Sequence, residues 1–307
     1  MKKIIFFAKC ILLLSILFIF TFGIVMPQYG CNYQASLIDK NARLKSIDEP
    51  KIVLVGNSNL AFGIDSKKIE DAFGMPVVNM GLHGGAGNVF NEQAAVQNVK
   101  KGDIVIISYS RFSDGDKLKN PELAWITIED HPELYSYIRL KDWPDMIHAY
   151  PTYLKDCLAL WADGMGNKDS GDEYSRIWFN EYGDNIYDRP SLMPDTDFSE
   201  VGIPEIGDDT IERLNKLNER LTGEGATMLI AAYPIPVTEG TPSAEEYTAF
   251  KNELDEKLDA PVISDYTSYM MDKELFYNTY LHLNNTGVQV RTDKLIADLN
   301  AYMQQNL

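Results

Sequence analysis

Lys51-Ile-Val-Leu-Val-Gly56-Asn57-Ser58-Asn59-Leu60-Ala61-Phe62-Gly63 is the segment from which the fold can be read. Its first half is a short β-branched run ending in glycine, the pattern of a strand buried on both faces. Gly56 permits a sharp turn, and Ser58 follows at once. Two further runs of this kind lie downstream, Pro76-Val-Val-Asn79 and Asp103-Ile-Val-Ile-Ile-Ser108. Helical spacing fills the intervals over 65–73, where Asp65 or Ser66 is the cap, and over 88–99. After a long interruption the alternation resumes: helix 209–221, strand 227–232, helix 243–258, short strand 261–264 and helix 287–304. Such alternation implies a parallel sheet with helices on both sides. The expectation is therefore an α/β three-layer αβα sandwich with a flavodoxin-like parallel sheet of about five strands. In such folds the site lies beyond the carboxyl ends of the strands. That rule singles out Ser58, residues 81–87, 109–112 and 233–236, and the segment after Ser264.

Residues 112–204 are rich in Trp, Tyr, Pro and Asp and show no strand–helix alternation. They read as an insertion that packs over the strand ends and sets substrate choice. Residues 28–50 are polar and read as a juxtamembrane linker or first helix. Ahead of them Lys2, Lys3 and Lys9 precede a charge-free run from Cys10 to Met26. About 20 apolar residues span a bilayer, and a lysine near one end can snorkel to the headgroups. A cleavable signal has a shorter apolar region and a small-residue cleavage site, which is not evident here. Residues 1–27 are thus expected to be a retained anchor. The lysines place its N-terminus in the cytoplasm and residues 51–307 outside.

The formal net charge of the 307-residue chain is −17, which disfavours binding to nucleic acid or through a polybasic lipid patch. The three cysteines, Cys10, Cys31 and Cys157, form no CxxC pair and give neither a disulfide framework nor a zinc site. No cofactor motif occurs, and neither a G-x-G-x-x-G nor a Walker sequence follows a strand. The carboxylates Glu129, Asp130, Asp172 and Glu173 read as solvated loop charges rather than as a metal site. The aromatics of the insertion read chiefly as packing, with sugar stacking as the alternative.

Three segments carry chemistry. Ser58 stands at the active-site edge and needs a base to become nucleophilic, although a Ser/Asn turn also fits a simple helix cap. Val78-Asn79-Met80-Gly81-Leu82-His83-Gly84-Gly85-Ala86-Gly87 offers backbone N–H groups after a strand, as in an oxyanion hole, or merely a tight connection. His83 there reads as an ordinary loop histidine. Tyr277-Asn278-Thr279-Tyr280-Leu281-His282-Leu283-Asn284-Asn285-Thr286-Gly287 places one of only four histidines just before the last helix. A histidine there suits general-base work near neutrality.

Taken together, these segments resemble the blocks of the SGNH (GDSL-like) hydrolase superfamily. Gly56-x-Ser58 is similar to its nucleophile block, Asn79-x-Gly81 to its oxyanion-glycine block, and His282-Leu-Asn284 with Gly287 to its histidine block. The resemblance covers about 51–108 and 227–307 and is strongest for membrane-anchored, envelope-facing bacterial members. It implies a serine ester hydrolase or O-acyltransferase with Ser58 as nucleophile, His282 as base, and the N–H groups of Ser58 and Gly81 as oxyanion donors. It also implies an acylated envelope glycan or wall polymer as substrate, and a membrane-bound acyltransferase as a candidate partner. The alternative is a non-catalytic envelope protein of this fold that binds polysaccharide or a membrane partner. Two positions depart from the pattern. Thr279 stands where the family places an Asp, so Asn278, Asp265, Asp272 or a backbone carbonyl would have to orient the imidazole. Tyr109-Ser110-Arg111 replaces the Gly-x-Asn-Asp block, which leaves the Asn oxyanion donor unidentified.

Overall fold

A computed structural model of the chain describes residues 2–129 and 131–306. Helix α1 (Lys2–Phe20) continues through a π turn at Thr21–Val25. Together they form one 24-residue helical rod, long and apolar enough to cross a membrane. Then follow α2 (Ser36–Ser46), β1 (Ile52–Gly56), α3 (Ser58–Ala61), α4 (Ser66–Phe73), β2 (Val77–Asn79), α5 (Asn88–Val96) and β3 (Ile104–Ser108). The insertion contributes α6 (Pro121–Ile128) and α7 (Trp143–Ala162), and a long irregular stretch leads to α8 (Asp208–Gly223). The chain closes with β4 (Thr227–Ile230), β5 (Ile235–Val237), α9 (Ala244–Lys257), β6 (Met270–Asp272) and α10 (Asn285–Asn306).

The central sheet is parallel, with strand order β2-β1-β3-β4. β1 and β3 pair in register from Ile52–Ile104 to Gly56–Ser108. Successive side chains leave on opposite faces, and both faces are dry. Val53, Val55, Val105 and Ile107 join the core shared with Phe90 of α5, Leu214 of α8 and Leu254 of α9. Ile52, Leu54, Ile104 and Ile106 pack instead with Ile69 of α4 and Leu295 and Leu299 of α10. The expected fifth strand over 261–264 reduces to one parallel bridge between Val262 and Ile230. Pro261 lacks the N–H that a ladder needs, and the Ser264 hydroxyl turns to Asp298 at 2.6 Å. β5 and β6 form a separate two-stranded parallel pair.

Within 28–50 the chain forms α2 (Ser36–Ser46), a first helix whose inner face is part of the domain, while 45–50 stay at the surface. Tyr33, Gln34 and Leu37 are buried, and Lys40 is only 1% exposed. The Lys40 ammonium donates to the carbonyls of Asn79 (3.0 Å), Gly81 (2.7 Å) and Gly183 (2.8 Å). It thereby ties α2 to the end of β2 and to the insertion. Burial draws its pKa down to about 7, against the opposing pull of Asp184.

The insertion divides its work. α6 and α7 pack on each other, α7 grips the end of the apolar rod, and the 3₁₀ segment Pro132–Tyr137 packs on α5. Val25 and Met26 are buried there, and the Tyr29 N–H donates to Glu129 at 2.5 Å. Residues from 173 onward wrap the carboxyl ends of β1 and β2 instead. Asp184 accepts from Ser66 N–H (2.7 Å), Ser66 Oγ (2.6 Å) and Asn79 Nδ2 (2.8 Å).

Candidate active site

Ser58 opens α3 directly after β1. A side chain at Gly56 would meet Ser108 O at 2.6 Å and Leu60 Cδ1 at 2.8 Å, so the turn needs glycine. Asn57 caps the turn, its Oδ1 accepting from Asn59 N–H at 3.0 Å while its Nδ2 donates to Ser110 Oγ at 2.9 Å. Asn59 is fully buried, and its amide donates to Ser108 O at 3.0 Å. Arg291 of α10 supports it from behind, donating to Asn59 Oδ1 at 2.7 Å and Ser108 Oγ at 3.0 Å. Both neighbours of Ser58 are thus locked, while Ser58 itself is half-buried and lines a cavity.

His282 sits in the loop before α10. Its Nδ1 lies 2.9 Å from Asn278 Oδ1. The amide can face only one way, because Asn278 Nδ2 donates to Glu173 Oε1 at 2.7 Å and to Tyr174 OH at 2.9 Å. Asn278 therefore presents an acceptor to the ring. Nδ1 carries the proton, and Nε2 is left with its lone pair. The ring stacks on Phe62 at 4.3 Å and 11°. Burial first, then the Arg189 cation and His83, draw its pKa down to about 3, so the imidazole is neutral.

Arg189, from the insertion, bridges the two segments. It donates to Leu283 O (2.9 Å) beside His282 and to Phe62 O (3.3 Å) at the end of the Ser58 turn. It also covers the Phe62 ring at 5.2 Å. Arg189→Met is expected to lower unfolding free energy by about 3–5 kcal/mol, because buried carbonyls lose a charged donor. Denaturant titration checks this. Arg189→Lys should recover only part of the loss, since an ammonium lacks the planar fork.

Ser58 and His282 line one cavity of about 420 Å³, with His83, Ser110, Arg111 and Tyr280 among its walls. A second cavity of about 500 Å³ adjoins it through shared Ser110, Arg111 and Glu200. Arg111 and Glu200 pair at 3.2 Å where the two lobes meet. No hydrogen bond joins Ser58 Oγ to the His282 ring among the described residues. Such contacts commonly tighten only when substrate binds.

Three of the expected site residues are placed elsewhere. Gly81 is not aimed at the cavity, because its N–H donates to Asn79 Oδ1 at 3.0 Å. Asn79 Nδ2 is committed to Leu60 O and Asp184, which turns its oxygen onto Gly81. The glycine is needed for close approach, since a Cβ there would meet Ala61 N at 2.7 Å. Asp265 caps a 3₁₀ turn through Thr267 N–H at 3.0 Å, and Asp272 caps the next through Glu274 N–H at 3.0 Å. Neither reaches the imidazole. Thr279 accepts from the His282 N–H at 3.1 Å and shapes the loop rather than the ring. Glu173 is the converse case, a residue read as solvated that stands behind Asn278. His83 accepts from Gly85 N–H through Nδ1 at 3.0 Å and faces the same cavity as Ser58. Among the described residues no group of three or more His, Cys, Asp or Glu could hold a metal ion, and Asp130 lies outside them.

No protein-family model, curated protein or solved structure matches the chain.

The depressed His282 pKa has two consequences for pH. If His282 serves as a catalytic base, the acid limb of kcat/KM is expected well below the ordinary histidine value of about 6.5, with activity flat from about pH 5 to 7. Between the folded value near 3 and the unfolded value near 6.5, only the unfolded chain binds this proton. Stability from this group is complete above about 6.5 and is lost as pH falls, by up to about 1.4 kcal/mol per unit. Melting curves of the wild type and His282→Gln across this range check it, because the variant loses that component.

Proposed function

We propose that the chain is an anchored serine ester hydrolase or O-acyltransferase of SGNH-like, three-layer architecture, working on acylated envelope glycans or wall polymers. One observation carries the reading. Ser58 and His282 share a cavity, and the Asn278–Glu173 pair orients the imidazole with Nε2 as its free base. Ser58 Oγ attacks the ester carbonyl carbon while its proton passes to His282 Nε2. The carbonyl π pair moves to oxygen, where the Ser58 N–H donates to it. The Ser110 hydroxyl, which accepts from Asn57 and keeps its own proton free, is the second donor in place of Gly81. Collapse of the tetrahedral species expels the alcohol, which takes the proton back from His282. Water, or the hydroxyl of an acceptor sugar, then attacks the acyl-serine by the reverse steps. The adjoining lobe offers room for the alcohol portion or the acceptor.

In this reading α1 holds the chain in the cytoplasmic membrane, with its N-terminus inside and the catalytic domain outside. A membrane-bound acyltransferase is the natural source of the acyl group if transfer is the reaction. The detergent-solubilised full chain is expected to release acetate from an O-acetylated glycan and from an aryl acetate. Acetate release that persists unchanged in Ser58→Ala would remove the proposal.

A further inference from the structure

One stripe of α7 is largely uncovered by the other described residues, although half-buried Leu154 packs on the core and Trp161 on Phe20. Ile147, Pro151, Leu154, Leu158 and Trp161 recur at helical spacing on one side of the helix. Ile147 is 66% exposed and Trp161 45%, while Met146, Tyr153 and Cys157 of the same helix are buried in the domain. The stripe is least polar at its C-terminal end, where Leu158-Ala159-Leu160-Trp161-Ala162 carries no charge. That end touches the apolar rod. The Trp161 ring packs edge-on against Phe20 at 5.5 Å, and Phe22 stacks over Tyr150 at 6.4 Å. The contact is firmly held, because Met26 is fully buried and the Cys157 thiol lies 3.5 Å from its carbonyl.

We propose that α7 lies in the outer headgroup region of the bilayer, as a second membrane contact beside α1. This rests on the reading of α1 as a membrane anchor. The argument is one of depth. A hydrocarbon layer of about 30 Å takes up about 20 helical residues. Counted from Lys3, that layer ends near Phe22, and counted from Lys9 it ends later still. Phe20 is therefore at lipid depth, and a ring packed on it cannot stand in bulk water. Trp161 and Tyr150 match the aromatic belt found at that level. The rest of the stripe, with Asp145, His148, Thr152 and Lys155 beside it, has the two-sided character of an interfacial helix. Two attachments rather than one fix the domain's orientation to the membrane and so its cleft's height above it.

The test uses the full chain with Cys10→Ser and Cys31→Ser in phosphatidylethanolamine–phosphatidylglycerol vesicles. Cys157 is kept, since burial pushes its thiol up to about 12 and shields it from labelling. One nitroxide is placed in turn at Phe18→Cys, Ile147→Cys, Leu158→Cys and Val237→Cys, all exposed positions. Collisions with oxygen, which concentrates in lipid, are compared with those of a water-soluble nickel chelate. The expected result is an oxygen-to-nickel ratio at 147 and 158 several-fold above that at 237, and highest at 18. Lipid exposure at 18 with water exposure at 147 and 158 would overturn the interfacial helix and leave the anchor standing. Water exposure at 18 would overturn both. Shielding of 147 and 158 from both reagents, with spin–spin broadening, would assign the stripe to a second copy of the chain instead.

Discussion

Ser58→Ala and His282→Ala are each expected to lower kcat/KM on an aryl acetate by at least ~10³-fold, and the double variant by no more than either alone. A serine without its base is a poor nucleophile, and a base without its serine activates little, so each loss removes the same event. The residual rate in all three variants would come from binding and from the oxyanion donors, Ser58 N–H and Ser110. Folding should be preserved in Ser58→Ala, because the turn is held by Asn57, Asn59 and Arg291 rather than by the serine hydroxyl. Additive losses would mean that the two side chains act separately, contrary to the proposed mechanism.

Asn278 is expected to be the next most sensitive position. Asn278→Ala frees the imidazole from its acceptor and should cost ~10²-fold in kcat/KM, with melting temperature changed far less. Asn278→Asp is the more telling variant. A carboxylate there would stabilise the imidazolium better than an amide, but it would face Glu173 at a position now 2.7 Å from the Glu173 oxygen. Two carboxyl groups that close share one proton, so the single change should give little gain. Adding Glu173→Gln removes the conflict and supplies an amide that can donate to the new Asp. The pair should raise kcat and move the acid limb of the pH profile upward, since an anion beside the ring raises its pKa. An acid limb that stays where it is in the double variant would show that Asn278 does not act on His282.

The parts of this site that could be read in sequence are those fixed by neighbours along the chain. Five consecutive apolar or glycine residues betray β1, and Ser58 follows it after a single residue, Asn57. His282 is visible because it immediately precedes the last helix, and Asn278 because it lies within the same loop. What escaped is set by partners far away. Glu173 meets Asn278 across 105 residues of sequence, and Asp184 meets Asn79 across the same interval. That second contact reverses the role of Gly81, whose local pattern is unchanged while its N–H is turned away. Lys40 and Arg189 are misleading in a different way. Lysine and arginine are seldom buried, so a polar segment such as 28–50 reads as a linker or an exposed first helix. Here backbone carbonyls satisfy both cations, and the segment becomes part of the core. The missing fifth strand has a local cause, a proline at the position where pairing would begin.

Covalent labelling reports whether Ser58 is a nucleophile activated by His282. The solubilised full chain is treated with a fluorophosphonate, and the modified peptide is located by mass spectrometry. One adduct is expected on Ser58, lost in Ser58→Ala and slowed strongly in His282→Ala, in step with the loss of esterase activity. An unlabelled Ser58 in a chain that retains acetate release, or equal labelling rates in wild type and His282→Ala, would contradict it. Neither labelling nor turnover from the folded chain would leave a polymer-binding protein built on the same cleft.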